Sequence, residues 1–465
     1  MTALDFDPDL LRRYDRPGPR YTSYPPAPQF ATSFSAAEMV EQIELSNEDP
    51  IPRDLSLYLH IPFCSSPCFY CGCNRVITRD ERKGEAYLQS LLREIALTAP
   101  LFDQDRAVVQ LHLGGGTPNF LDPAQMGVLM NGLGRHFNLA KSPDRDFSIE
   151  LDPRFVTPAD IKKLVSLGFN RASLGVQDFD PLVQRAVNRV QGVDQTIAII
   201  DACADEGMRS VNVDLIYGLP KQTLVGFART LDAVIAVGPR RVAAYGYAHL
   251  PELFRAQRQI SEGDLPTPEI KLGLLQLTIE KLSVAGYRYI GMDHFAHPDD
   301  ELALAQDTGT LRRNFMGYTT HAQTDLVGMG ASAISRVGDT YWQNFRDVVP
   351  WQGALNSGRN PVWRGRALCD DDLLREDVIQ QLMCHGRVDI LQTEARHQID
   401  FTQYFRDDLA RLAPLQVDGI VNISACSIQA TYRGRLLLRN IAMCFDTFLH
   451  RYPVPDETTR YSRAV

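Results

Sequence analysis

The chain runs to 465 residues, 44% of them apolar and 23% charged, with 48 bases against 57 acids for a formal net charge of −9. That balance excludes a disordered polymer and a bundle of membrane spans, and its acidity argues against a protein that tracks nucleic-acid phosphates. The opening run, MTALDFDPDLLRRYD, carries acids where a secretory leader needs a basic end and an apolar core, so a cytoplasmic protein without a membrane span is expected.

In chain order an arm comes first, over residues 1–37. Its segment RPGPRYTSYPP (16–26) holds too much proline for a helix and predicts extended chain. Six β-branched or aromatic segments follow as predicted strands: Leu55–His60, Val108–Leu113, Phe147–Leu151, Ala172–Val176, Val211–Ile216 and Val242–Tyr247. Helical patterns lie between them. Asp122-Pro123 opens one that runs to Phe137, and Thr157-Pro158 opens the next, which Gly168 closes. A third passes through Ile197, Ile200 and Cys203 to Gly207, and a fourth runs from Thr223 to Gly238. Strand alternating with helix through a body at 38–350 predicts right-handed parallel crossovers, in an open α/β sheet or a barrel. Beyond it, residues 351–465 read as a small helical domain with a two-stranded wing, Gly419–Ile423 and Ser427–Thr431. Between 366 and 450 nine Arg and no Lys face twelve acids, which discourages a DNA-binding reading.

Nine cysteines in a long chain with no leader do not make a disulfide framework. Cys64, Cys68, Cys71 and Cys73 cluster just after the first predicted strand, and Pro67 and Gly72 make that segment a loop. The spacing C-x3-C-x2-C lets three thiolates wrap one centre, and three thiolates on a cubane iron–sulfur cluster leave the fourth iron open. Structural zinc is the competing reading, although zinc sites usually take two short pairs separated along the chain. Other polar and glycine residues collect where the predicted strands end: Gly114–Gly116, Glu150, Gln177, Asp214 and His249. In parallel barrels that end carries the chemistry. Gly328-x-Gly330-x-x-Ala333 matches a dinucleotide fingerprint, but no clear strand precedes it and a Rossmann reading is rejected. His294 and His297 are read as satisfied or surface histidines, not metal ligands.

The cysteine loop resembles the radical S-adenosylmethionine (SAM) superfamily, whose fold is a full or partial (β/α) barrel. The segments GPRYTSYP (18–25), LYLHIPFCSSPCFYCGC (57–73), GGGTP (114–118), GVQDF (175–179), DLIYGLPKQ (214–222), GMDHF (291–295), 314–320 and 444–446 narrow the likeness. Together they resemble the oxygen-independent coproporphyrinogen III oxidase family. The resemblance implies a partial (β/α)6 radical-SAM barrel with the arm and the terminal domain attached. It implies a [4Fe-4S] cluster on Cys64, Cys68 and Cys71, with Cys73 not a ligand but a mark that separates this chain from related heme chaperones. It also implies two SAM molecules, the first near Tyr58, Gly115, Glu150 and Ile334, the second near Tyr70, Gly116, Thr117, Gln177, Arg189, Asp214 and Ala248. Tyr58 and Phe315 are the positions expected at the reacting centre.

The implied reaction turns two propionates of coproporphyrinogen III into vinyl groups, for heme synthesis without oxygen. A substrate with four propionates asks for cations, and Arg16, Arg20, Arg312 and Arg313 are the candidates. Relatives usually carry Gln where this chain has Met316, which puts substrate placement in question. An electron donor such as a flavodoxin-type protein and a monomeric state complete the expectations.

Overall fold

The computed structural model describes residues 4–321, 323–451 and 461–463, so 452–460 and 464–465 of the expected terminal domain lie outside the described residues. The chain forms two compact units, each assembled from separated segments: residues 30–278 with 323–367, and residues 1–29 with 279–322 and 368–465. Residues 1–29 of the arm and the segment 279–322 therefore fold with the C-terminal region, whereas the arm's last residues, from Phe30, belong to the larger unit.

In the larger unit the six predicted strands form as β1 (Leu55–Ile61), β2 (Ala107–Gly115), β3 (Asp146–Leu151), β4 (Arg171–Gln177), β5 (Ser210–Tyr217) and β6 (Arg241–Gly246). They pair in parallel in that order, β1-β2-β3-β4-β5-β6, each to the next. This is the parallel β/α series that the strand–helix alternation predicts, and the partial barrel that the family resemblance implies. Helices α1 (Glu81–Thr98), α2 (Pro123–His136), α3 (Pro158–Ser166), α4 (Val193–Asp205) and α5 (Leu224–Val237) supply crossovers. Their ends follow the sequence chemistry. Asp122 and Thr157 each close a capping box around a proline-led first turn, and Gly238 ends α5 at φ 68°. Such a cap is worth about 1 kcal/mol.

Burial along the strands alternates. In β4 and β5, Leu174, Val176, Val213 and Leu215 are buried, whereas Ser173, Gly175, Asn212, Asp214 and Ile216 are only partly so. Period-two geometry sends the first set to one face and the second to the other. The face that carries Ser173, Asn212 and Asp214 is polar, and the same face of β1 to β3 carries Tyr58, His112, Ser148 and Glu150.

On the far side of β1 the sheet continues in a way the sequence reading did not expect. Strand β7 (Asp325–Met329) pairs parallel to β1, and β8 (Ile334–Val337), β9 (Thr340–Asn344) and β10 (Val362–Ala367) follow antiparallel. Gly328 thus lies on a strand, contrary to the expectation that none precedes the glycine pair. The Rossmann rejection stands on other ground, since a turn and an antiparallel strand follow instead of a helix. The buried Arg106–Asp325 ion pair anchors β7, and Arg106 also donates to Arg53 O at 2.7 Å.

In the smaller unit the arm is not wholly extended: Asp7 caps a short helix, Pro8–Tyr14, and the proline-rich part that follows, 16–26, lacks helix. Leu10, Leu11, Tyr14, Tyr21 and Tyr24 are buried. Tyr21 donates to Asp446 Oδ2 at 3.0 Å, Tyr24 Oη lies 3.1 Å from Thr447 Oγ1, and Arg439 donates to Pro19 O at 3.2 Å. The wing has three strands, not two: Arg387–Asp389 pairs with Ser427–Ala430, which pairs with Val421–Ile423. Two short helices, Phe401–Tyr404 and Arg406–Val417, stand where one continuous helix could have run. Among the described residues no helix is long and apolar enough to cross a membrane.

Candidate active site

The cysteine loop is held by its own backbone. Past β1, Val76 donates to Pro62 O at 2.7 Å and Thr78 to Cys64 O at 3.0 Å, which closes the base of the loop. Inside it, Arg75 donates to Cys68 O at 3.0 Å and Cys71 O at 3.3 Å. From outside, Asn188 holds Pro67 O at 2.7 Å and Phe69 donates to Val187 O at 2.9 Å. All four cysteines are free thiols, with Cys64 and Cys68 buried, Cys71 half-buried and Cys73 exposed.

Three of the four sulfurs accept donors from fixed groups. Thr117 Oγ1 donates to Cys64 Sγ at 3.3 Å, Arg189 Nη1 to Cys68 Sγ at 3.5 Å, and the Cys73 backbone N–H to Cys71 Sγ at 3.4 Å. The Cys71 thiol is brought down to about 6, chiefly by its hydrogen bond with Cys73 and also by Arg75, against burial. Burial pushes the Cys64 thiol up to about 11, with Thr117 opposing. Among the described residues no three His, Cys, Asp or Glu side chains gather as a site for a single metal ion. A cubane makes a different demand, because its three thiolates sit on three separate irons. Thiols in a backbone-clamped loop, supplied with hydrogen-bond donors and cations, suit that group.

The ends of β2 and β3 meet this loop. Gly115 takes φ 115°, where only glycine is comfortable, and a Cβ there would lie 2.5 Å from the His60 ring. Its N–H donates to Glu150 Oε2 at 3.1 Å. Glu150 Oε1 lies 3.3 Å from His112 Nε2, and the His112 ring stacks 5.9 Å from that of Tyr58. Tyr58 Oη is 3.0 Å from His60 Nδ1. Burial by itself would raise the Glu150 carboxyl, but His112 and the Gly115 N–H more than reverse it and hold it below the usual range. A half-buried glycine turn without side chains, an ionised carboxylate and an aromatic face suit a ribose and an adenine. Ile334 opens β8, whose neighbour β7 pairs with β1.

A second group forms toward β4 to β6. Gln177 ends β4 at φ 67°, and a Cβ on Gly175 would meet Gln177 Nε2 at 2.7 Å and Arg189 Nη2 at 3.0 Å. Buried Arg189 also donates to Gly175 O at 2.5 Å and to Asp152 Oδ2 at 3.0 Å. Asp214 accepts from Asn212 at 2.8 Å and Ser173 at 3.1 Å, and its carboxyl is pushed up to about 6 by burial and by the charge of Glu150. Tyr70 packs with Phe69 against Val183, Val187, Leu219, Tyr247 and Ile260.

Three positioning residues here were missed by sequence reasoning. Gln257 Nε2 donates to Tyr70 O at 2.9 Å and to Ala248 O at 3.2 Å, so one side chain ties together two expected ligand positions. Asp178, next to Gln177, is buried and accepts from Gln222 Nε2 at 2.6 Å, Thr230 Oγ1 at 2.7 Å and Asp180 N at 2.8 Å. Gln222 in turn accepts the Gly218 N–H at 2.6 Å, just past β5. Both Asp178 oxygens face donors, so Asp178→Asn sets an amide N–H₂ against one of them. That substitution is expected to cost about 1–3 kcal/mol, read as a lower urea midpoint at unchanged m-value.

The remaining candidates belong to the smaller unit. Arg16 is exposed, and Arg20 is paired with Asp293 at 2.7 Å. Arg312 and Arg313 lie on a strand, Arg312–Asn314, of a hairpin whose turn carries Phe315 and Met316. Arg313 is buried, donates to Arg20 O and lies 5.5 Å from the Tyr318 ring centroid. Arg312 and Phe315 are half-buried.

Residues 58–234 match the Radical SAM superfamily model and residues 368–437 match the HemN C-terminal domain. Among curated relatives, the oxygen-independent coproporphyrinogen III oxidase of Pseudomonas aeruginosa is 49% identical over 97% of both chains. That of Escherichia coli strain K12 is 48% identical over 97% of both. The solved structure described as coproporphyrinogen III oxidase (HemN) from Escherichia coli, a radical SAM enzyme, superposes with a TM-score of 0.91. It is 47% identical, over 96% of this chain and 100% of that one.

Proposed function

Because the chain belongs to the oxygen-independent coproporphyrinogen III oxidase family, we propose that it oxidatively decarboxylates two propionate side chains of coproporphyrinogen III to vinyl groups, giving protoporphyrinogen IX. Each side chain gives up CO2, one hydrogen atom and one electron. Likeness of 49% over 97% of both chains, the cysteine loop included, carries this reading.

Cys64, Cys68 and Cys71 would hold a [4Fe-4S] cluster, which would supply the electron for reductive cleavage of SAM. The chain's own residues do the placing. Thr117 and Arg189 hold two of the sulfurs in position through their hydrogen bonds. Gly115, whose N–H fixes the Glu150 carboxylate, and Glu150 itself would lie against a first SAM, with Tyr58 and Ile334 beside them. Tyr70, Gly116, Thr117, Gln177, Arg189, Asp214 and Ala248 would take a second. Fixing a substrate carbon next to a reactive centre converts an encounter into a unimolecular step, which is the larger part of what a protein contributes to such chemistry. Phe315 and the arginines at 16, 20, 312 and 313 are proposed for the substrate; Arg16 and Arg312 are the more available, since Arg20 already has Asp293 and Arg313 is buried. Gly72 and Cys73 are exposed, which suits electron entry from a protein donor of flavodoxin type. The reading takes the enzyme as a cytoplasmic monomer.

The test is an anaerobic incubation of reconstituted enzyme with coproporphyrinogen III, SAM and dithionite. Two vinyl groups per substrate and 5′-deoxyadenosine are expected. SAM cleavage without a vinyl product would exclude the decarboxylase.

A further inference from the structure

Beside the cysteine loop stands an arginine to which neither the motif spacing nor the family likeness assigns a role. Arg154 sits on the 3-10 turn Pro153–Phe155 that follows β3. Its Nε and Nη2 grip Asp152 at 2.9 and 2.7 Å, and the same Nη2 donates to Cys68 Sγ at 3.7 Å. Arg189 approaches from the other side, with Nη1 on both Asp152 Oδ2 and Cys68 Sγ. The side chains of Asp152, Arg154 and Arg189 are 6%, 12% and 8% exposed. The Phe155 ring lies 5.1 Å from the Arg154 guanidinium and covers one of its faces.

Two guanidiniums around one carboxylate leave a net charge of +1 against a single sulfur. The carboxylate does not cancel the cations; it orients them, since Arg154 grips it with Nε and Nη2 and Arg189 with Nη1 while each also donates to Cys68. Asp152 itself stays ionised: burial would raise its carboxyl, but Arg154 and Arg189 hold it below the usual range. In a site this dry, a fixed charge acts with far less screening than at the surface.

We propose that Arg154, oriented by Asp152, is a tuning residue that raises the reduction potential of the cluster bound through Cys68. The inference rests on the cluster reading above. Adding an electron increases the negative charge shared by the irons and their thiolates. A donor and a net positive charge at the sulfur stabilise that reduced form more than the oxidised one, which moves the potential upward. Arg189 is also expected on a second SAM, whereas Arg154 is committed to Asp152 and Cys68. No new reactant is required, because one electron enters from the reductant the reaction already uses.

The experiment is an equilibrium redox titration of the reconstituted holoenzyme with dithionite and mediators. The reduced cluster is followed by electron paramagnetic resonance, with iron content measured on the same samples. Arg154→Gln is expected to keep its iron and lower the reduction equilibrium about tenfold, ~59 mV for one electron. Arg154→Lys keeps the charge without the fork and is expected to shift in the same direction by less. A wild-type midpoint in iron-replete Arg154→Gln overturns the proposal. Should Arg154→Gln fail to hold a cluster, Arg154→Lys decides by the same criterion: a lowered midpoint supports the tuning role and an unmoved one overturns it. Absence of a [4Fe-4S] signal from the unaltered enzyme would instead remove the cluster reading itself.

Discussion

Serine in place of Cys64, Cys68 or Cys71 is expected to abolish the iron–sulfur chromophore after anaerobic reconstitution, whereas Cys73→Ser is expected to keep nearly the wild-type iron content. The reasoning is local. Each of the first three sulfurs is the acceptor of a donor fixed elsewhere in the fold: Thr117 for Cys64, Arg189 for Cys68, the Cys73 backbone for Cys71. A serine oxygen is a poor ligand for iron beside thiolates, and one missing corner of three leaves two. Cys73 differs because its main-chain N–H donates to Cys71 and is retained by serine, whose hydroxyl can also replace the thiol as a side-chain donor to Cys71. Its own side chain lies at the exposed end of the loop. Iron and sulfide analysis of the four variants checks the set; comparable losses in all four would mean that the ligands are wrongly assigned.

Gly116→Ala is expected to cut SAM cleavage by about 10²-fold, the effect of roughly 1 Å of misplacement at a reacting centre. The Gly116 N–H donates to Ile61 O at 2.8 Å, which brings the end of β2 against the turn that leads into the cysteine loop. A Cβ there would meet the Pro62 carbonyl carbon and oxygen at 2.7 Å and Phe63 O at 2.8 Å. All three are backbone atoms, so no side chain can swing aside. The chain must part between β1 and β2, at a cost of about 1–3 kcal/mol. That movement also shifts Thr117, the donor to Cys64. Cleavage rate, SAM affinity by equilibrium dialysis and iron content separate misplacement from collapse. Unchanged cleavage would show that the close approach has no bearing on the chemistry.

The parallel β/α series was readable because several signals agree locally. Strands such as Val211–Ile216 are apolar on alternate positions, and proline behind Asp122 or Thr157 marks where a helix begins. The antiparallel extension was not read, although a signal was present: Gly338-Asp339 between Val337 and Thr340 is a two-residue hairpin turn, and β8 and β9 pair across it. The glycine pair at 328 and 330 drew attention to a nucleotide fingerprint instead. The third wing strand, Arg387–Asp389, is too short to show any period. Within the site, motif residues were legible because their spacing is compact. Gln257 was not, since it acts on the backbone of Tyr70 from 187 residues away. Arg154 was hidden for a related reason: DPRF looks like an ordinary capped turn until the fold brings Cys68 beside it.

The contact between Tyr21 and Asp446 joins residues 425 positions apart. A ribosome therefore releases the first tyrosines long before their partners exist, and the smaller unit closes only after nearly the whole polypeptide has emerged. The larger unit needs nothing beyond residue 367. Domain-wise folding during synthesis thus gives it a head start, and long-range closure makes the smaller unit the slow step.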